Sequence, residues 1–164
     1  MAPRLTPSPA AWDQHYLGVA LNAARYSKDP ATRVGAVIVS PRRRVWGAGY
    51  NRFPTSIKET PERMNDRDVK LSLVIHAELN AVFDAQRSDR TAFGCTLYLA
   101  CTDDSGDVWG GPPCTRCTVH LIEAGIAEIV SHPIKATPSK WHADLAVARE
   151  LLAEAGVKYR EVAL

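Results

Sequence analysis

The sequence predicts a three-layer α/β/α fold built on a mixed five-stranded sheet. Two observations carry this: a pair of neighbouring strands near the N-terminus, and a strand–helix–strand–helix–strand order from Cys95 to Val162. Strands that alternate with helices pair in parallel through right-handed crossovers. Strands joined by a short turn pair antiparallel. Together they give a mixed sheet with helices on both faces.

The elements follow in order. Residues 1–10, with Pro3, Pro7 and Pro9, read as a flexible arm, and 11–164 as a single domain, a length that suits one core. Ala11–Tyr26 carries apolar residues at Trp12, Tyr16, Val19, Ala20 and Ala23, which is helical spacing, and Lys28-Asp29-Pro30 ends it. Val34–Ser40 is an apolar, β-branched run expected to be a buried strand. Pro41 to Arg44 forms a turn, and Val45–Tyr50 is the return strand. Asn51–Asp68 reads as a long polar loop, a type that tends to be functional. A helix over Ser72–Gln86, a strand over Cys95–Ala100 and an irregular stretch over Cys101–Pro113 come next. The chain closes with a helix over Cys114–Ala124, a strand over Ile126–Ser131, a helix over His142–Ala155 and a strand over Val157–Val162. Gly125 and Gly156 end the two helices.

Composition narrows the function classes. A net charge of +2, with 46% apolar and 23% charged residues, is ordinary for a soluble globular chain. It shows no basic stripe, so no polynucleotide partner is expected. No segment has the length of a membrane helix, and Met1–Pro9 has no apolar signal region. A cytoplasmic protein without a membrane partner is the expectation. Cys114 and Cys117 form a C-x-x-C, which in that compartment reads as metal or redox chemistry. Cys95 and Cys101 read as core thiols, and no disulfide is expected.

Two short motifs carry the chemistry: His76-Ala77-Glu78 and Pro113-Cys114-Thr115-Arg116-Cys117, each at a predicted helix start. Their combination is the H-x-E…P-C-x-x-C signature of zinc deaminases. A catalytic zinc needs three protein ligands and one open position. Cys114 and Cys117, three apart on a first helical turn, can aim both sulfurs to one side, and the free N–H groups there favour thiolates. His76 is the third ligand, giving one zinc ion per chain. Glu78 is suited to move protons between water, ring and leaving ammonia. Taken alone, a C-x-x-C is more often a structural half-site or a redox pair. Cys95 and Cys101, six apart, do not complete a structural site.

From Trp12 to the C-terminus the chain resembles the deoxycytidylate (dCMP) deaminase branch of the cytidine deaminase superfamily. The likeness rests on Ser27-Lys28-Asp29-Pro30 with Val34-Gly35-Ala36, on Gly49-Tyr50-Asn51 with Pro54, on His76-Ala77-Glu78-Leu79-Asn80-Ala81, on Ala124-Gly125-Ile126 and on Trp141-His142. It implies a cytidine deaminase-like fold, hydrolytic loss of ammonia from C4 of a cytosine nucleotide, and a homo-oligomer. It further implies that Asn51 contacts sugar or base and that the Ala77 N–H holds the base carbonyl.

The chain departs from the family pattern at three places. Arg52 replaces a glycine, Trp141 replaces a tyrosine, and Cys101–Gly111 is an insertion that brings Asp103, Asp104 and Asp107. The insertion is expected to be a flap beside the pocket, with Trp109 either stacking on a base or packing the flap down. Arg52, with Lys28 and Arg33 on the same side, is expected to meet a substrate phosphate. A different ring in the pocket (a modified cytosine, a purine or a pterin) and a non-catalytic zinc-stabilised binding module remain the alternatives.

Overall fold

The computed structural model describes residues 7–135 and 141–163. Most of the expected N-terminal arm lies outside them. Helix α1 spans Pro9–Ala24, two residues earlier than its periodicity suggested. Ser8 caps it by accepting from the Ala11 amide, and Pro9 occupies the first turn. Strands β1 (Arg33–Val39) and β2 (Val45–Tyr50) form the antiparallel hairpin. Its turn places Arg43 in the left-handed region at φ 58° and over the Trp12 ring.

The polar stretch after β2 is not a bare loop. It contains α2 (Pro61–Asn65) and α3 (Arg67–Leu73), capped by the Thr60 and Asp66 side chains. The helix expected over Ser72–Gln86 is also divided. The backbone of Ile75 exchanges two hydrogen bonds with Arg52, and α4 begins only at Ala77, running to Arg87. Those long-range bonds hold residues 74–76 extended, against their local helical pattern. Then come β3 (Thr96–Thr102), β4 (Val108–Trp109), α5 (Thr115–Glu123), β5 (Glu128–Ser131), α6 (His142–Glu154) and β6 (Lys158–Glu161).

The sheet runs β2-β1-β3-β5-β6, with β3, β5 and β6 parallel as expected and β1 antiparallel to both of its neighbours. The insertion adds a sixth, two-residue strand: β4 pairs antiparallel with Cys101 and Thr102 at the end of β3. Because the order from β3 to β6 advances in one direction, right-handed crossovers put α5 and α6 on the same face. Alternation within strands separates the two cores. Val37, Val39, Tyr98 and Ala100 meet Tyr16, Leu17 and Ala20 of α1. Ala36, Ile38, Leu97 and Leu99 meet Ala77 and Ala81 of α4, Leu121 of α5 and Leu152 of α6.

Asp13 of α1 ties both ends of the chain to the sheet. It accepts from Tyr98 Oη at 3.0 Å and from Arg160 of β6 at 2.9 and 3.1 Å, and Arg160 also reaches Glu128. Burial would raise the Asp13 carboxyl, but the bonds from Arg160 and Tyr98 outweigh it and hold it below the usual carboxylate range. No helix among the described residues is long and apolar enough to cross a membrane.

Two glycines set the height of α4 above the sheet. A Cβ on Gly47 would collide with the backbone of Ala81 and Ala85. One on Gly49 would lie 2.6 Å from the Ala77 carbonyl and closer still to the Ala81 amide. Gly49→Ala must therefore lift the first turn of α4. It is expected to cost about 3 kcal/mol or more, a fall in Tm of about 6–12 °C for a chain of this size. Gly18→Ala, in a helix with nothing within 4 Å of the added atom, is the control and should be neutral or stabilising by up to about 1 kcal/mol.

Candidate active site

Two helix starts converge beyond the carboxyl end of β3, where α/β sheets place their ligand crevices. His76 is the residue before α4, and Cys114 the residue before α5. Neither side chain caps its own helix, because both are turned toward each other. His76 Nδ1 lies 3.5 Å from Cys114 Sγ and 3.3 Å from Cys117 Sγ, and the three donor atoms all fall within 4.8 Å of one another. Two ligands on one tetrahedral zinc, with Zn–S near 2.3 Å and Zn–N near 2.0–2.1 Å, stand about 3.5 Å apart. The donor set fits that ion in both spacing and chemistry. Among the described residues no further His, Cys, Asp or Glu joins the group, so the trio has the ligand count of an open site.

The electrostatics agree. Hydrogen bonding to Cys114 raises His76 to about 9, against its burial. Cys114 drops to about 4, held down first by its hydrogen bond with Cys117, then by that with His76. The contact with Cys114 pushes Cys117 upward. Without metal, the Cys114 thiolate faces the His76 imidazolium, and binding of zinc would release the protons held by His76 and Cys117.

Glu78 sits on the first turn of α4 and is 4% exposed. Burial pushes its carboxyl above the usual range, and the nearby His76 opposes this only in part. A carboxyl raised in this way holds a proton more readily than an exposed one, which suits it to accept and return protons. Ala77 opens the same helix, so its N–H is one of the four with no intrahelical partner. Asn80, one turn on, ties this end down by donating to the Tyr50 and Ile75 carbonyls.

The other expected contacts are placed less directly. The Asn51 side chain accepts from the Val34 amide and donates to the Thr32 carbonyl, which fixes the loop before β1. Arg52 pairs its backbone with Ile75, next to His76, while its guanidinium turns to the Phe53 carbonyl and Thr55 Oγ1. Arg52 and Lys28 line a groove of about 840 Å³ with Lys58, Arg87, Glu59 and Asp84, and none of the three metal-type donors borders it. Trp141, at the start of α6, is 47% exposed.

The insertion is held down along its length. Lys135 pairs with Asp103 and Asp107, each at 3.1 Å, and stands over the Trp109 ring, while Arg33 pairs with Asp104. Gly110 and Gly111 donate to the Pro133 and His132 carbonyls. The Trp109 ring is thus engaged with Lys135, and the three carboxylates have cationic partners within the fold. Arg33 is engaged with the flap and is not grouped with Lys28 and Arg52. Cys95 and Cys101 are buried, and none of the four cysteines forms a disulfide.

Lys135 and Asp144 escaped the sequence reading, and Cys101 was read only as a core thiol. Cys101, on the β3 face shared with Leu99, is pushed up to about 12, chiefly by burial, with the Glu78 carboxylate adding to it. Lys135 neutralises the flap. Asp144 of α6 accepts from the Thr115 amide at the start of α5. Each depends on tertiary contact and leaves no local pattern.

Residues 10–132 match the family described as the cytidine and deoxycytidylate deaminase zinc-binding region. Deoxycytidylate deaminase of Mus musculus is 34% identical over 155 residues, covering 92% of this chain and 79% of the relative. The Homo sapiens enzyme is 34% identical over 157 residues with the same coverage. The dCMP deaminase of cyanophage S-TIM5, solved in complex with dCMP and dUMP, superposes with a TM-score of 0.70 at 19% identity, over 96% of this chain and all of the other.

Replacing His76, Cys114 or Cys117 singly by Ala is expected to take bound zinc from one ion per chain to nearly none, read by elemental analysis after gel filtration. Cys95→Ala and Cys101→Ala should keep full occupancy. Retention of zinc by the Cys117 variant would refute the ligand assignment.

Proposed function

The chain belongs to the cytidine and deoxycytidylate deaminase zinc-binding family, and we propose that it hydrolyses the 4-amino group of a cytosine nucleotide of the dCMP type, giving the uracil nucleotide and ammonia. One observation carries this reading: a buried carboxyl of raised proton affinity, Glu78, stands beside a three-donor metal group that has no fourth protein ligand. A structural zinc site has no use for such a neighbour.

His76, Cys114 and Cys117 would hold the zinc ion, which supplies the Lewis acidity that hydrolysis of an amidine needs. The remaining work falls to the chain itself. Glu78 takes one proton from the attacking water and passes it to the ring nitrogen, then takes the second from the new C4 hydroxyl and delivers it to the amine, which leaves as ammonia while C4 becomes a carbonyl. Ala77 offers its free N–H to the ring carbonyl, which fixes the base with C4 toward Glu78.

For the sugar and phosphate, Asn51 braces the rim between β1 and β2, and the backbone of Arg52 is bridged to Ile75, the residue before His76. Lys28 stands on the same groove wall. We read Arg52 as the contact to a 5′-phosphate, Lys28 as its auxiliary, and Trp141 as a rim residue. We also propose self-association into a homo-oligomer, to which the exposed apolar residues Phe83 of α4 and Val119 of α5 are candidates to contribute. Four free thiols suit a cytoplasmic setting.

The reading is tested by ammonia release from dCMP, deoxycytidine, and adenine, guanine and pterin analogues. dCMP should be turned over best, and turnover of a purine or pterin alone would replace the assignment. Glu78→Gln should keep its zinc while kcat falls by about 10²–10⁴-fold or more. Retention of most of kcat would end the proton-transfer role. Arg52→Ala should lower kcat/KM for the monophosphate by about tenfold or more, the worth of a charge-assisted contact of about 1.5–3 kcal/mol, and leave the nucleoside almost unchanged. Equal losses for both would make Arg52 a wall of the groove.

A further inference from the structure

An α-helix leaves its first N–H groups without partners, and a Ser, Thr, Asp or Asn before the first turn normally accepts from one of them. Helix α5 has a cysteine there. Cys114 makes no capping bond, because its sulfur faces His76. The acceptor comes from another helix. Asp144, in the first turn of α6, accepts from the Thr115 amide through Oδ2 at 2.9 Å, and its backbone carbonyl accepts from Thr115 Oγ1, also at 2.9 Å. Thr115 directly follows Cys114 and opens the turn that ends at Cys117. Asp144 therefore grips the thiolate turn at two points from outside the metal group. On the other side, Thr118 Oγ1 donates to the Pro113 carbonyl at 3.2 Å.

We propose that Asp144 is a positioning residue for the zinc site: it replaces the cap that Cys114 gives up to the metal, and so fixes the spacing of Cys114 and Cys117. This rests on the zinc reading of the His76 group. The carboxylate also lies at the start of α6, where that helix's own dipole favours it, so it suits both helix ends at once. Its part is to hold the ligands in place; it touches neither metal nor substrate.

The test measures zinc affinity by competition with a chromophoric chelator, for the wild-type chain, Asp144→Ala, Asp144→Asn and Thr115→Val, together with thermal unfolding of each zinc-free protein. Asp144→Ala should lose about 10–100-fold in zinc affinity, as outer-shell partners of metal ligands do. Asn keeps an acceptor in the same place and should stay within about threefold of wild type, a difference below the worth of one hydrogen bond. Thr115→Val, which loses only the hydroxyl grip, should fall between the two. Wild-type affinity in Asp144→Ala, with only the zinc-free Tm lowered, would make the contact structural and overturn the proposal. If Asp144→Ala does not fold, Thr115→Val decides: unchanged zinc affinity overturns it. A wild-type chain that binds no zinc would overturn the zinc reading itself, an outcome distinct from these.

Discussion

The site depends on how closely helix α4 can lie against strand β2. Gly47 and Gly49 present bare backbone to Ala77, Ala81 and Ala85, so that strand and helix meet almost main chain to main chain. That contact sets the position of the first turn of α4. From it follow the place of His76, the burial of Glu78, and the bonds by which Asn80 ties the Tyr50 and Ile75 carbonyls to the helix. Small residues on both partners leave no side chain to act as a spacer.

A second constraint is electrical. Two helix starts, each carrying unpaired N–H groups, point into one small volume, and dipoles of like sign gathered there favour anions. Two thiols and a carboxyl answer that field. Burial works against them all: hydrogen bonds with Cys117 and His76 overcome it at Cys114, whose sulfur is easily ionised, while Glu78 holds its proton more tightly than an exposed carboxyl. The same fold thus produces a ligand and a proton carrier in one small volume.

Much of this was legible in the sequence. The β-branched run over Val34–Ser40 and the strand–helix alternation after Cys95 gave the sheet and its parallel half, because side-chain periodicity is local. The spacing of His76, Glu78, Cys114 and Cys117 gave the metal group, because three ligands on two first turns can be counted along the chain. The missed features arise between distant segments. Residues 74–76 have helical neighbours but are pulled straight by Arg52. Helices α2 and α3 are too short to show periodicity and depend on their Thr60 and Asp66 caps. The grouping of α5 with α6 on one face required the strand order. The partners of Asp103, Asp104 and Asp107 in the insertion, Lys135 and Arg33, come from distant segments.

That insertion separates two things that loops usually couple, length and rigidity. Its stem is paired with β3 through Val108 and Trp109, and its exit is fastened by Gly110 and Gly111 to residues 132–133, before the chain reaches Pro113 and Cys114. The metal-bearing turn is therefore anchored independently of whatever sits between Asp104 and Asp107. Changes in the tip can be sampled, by evolution or by grafting, without retuning the metal geometry. The hairpin is in effect a socket beside the active site, where new recognition elements can be exchanged while the catalytic frame stays fixed.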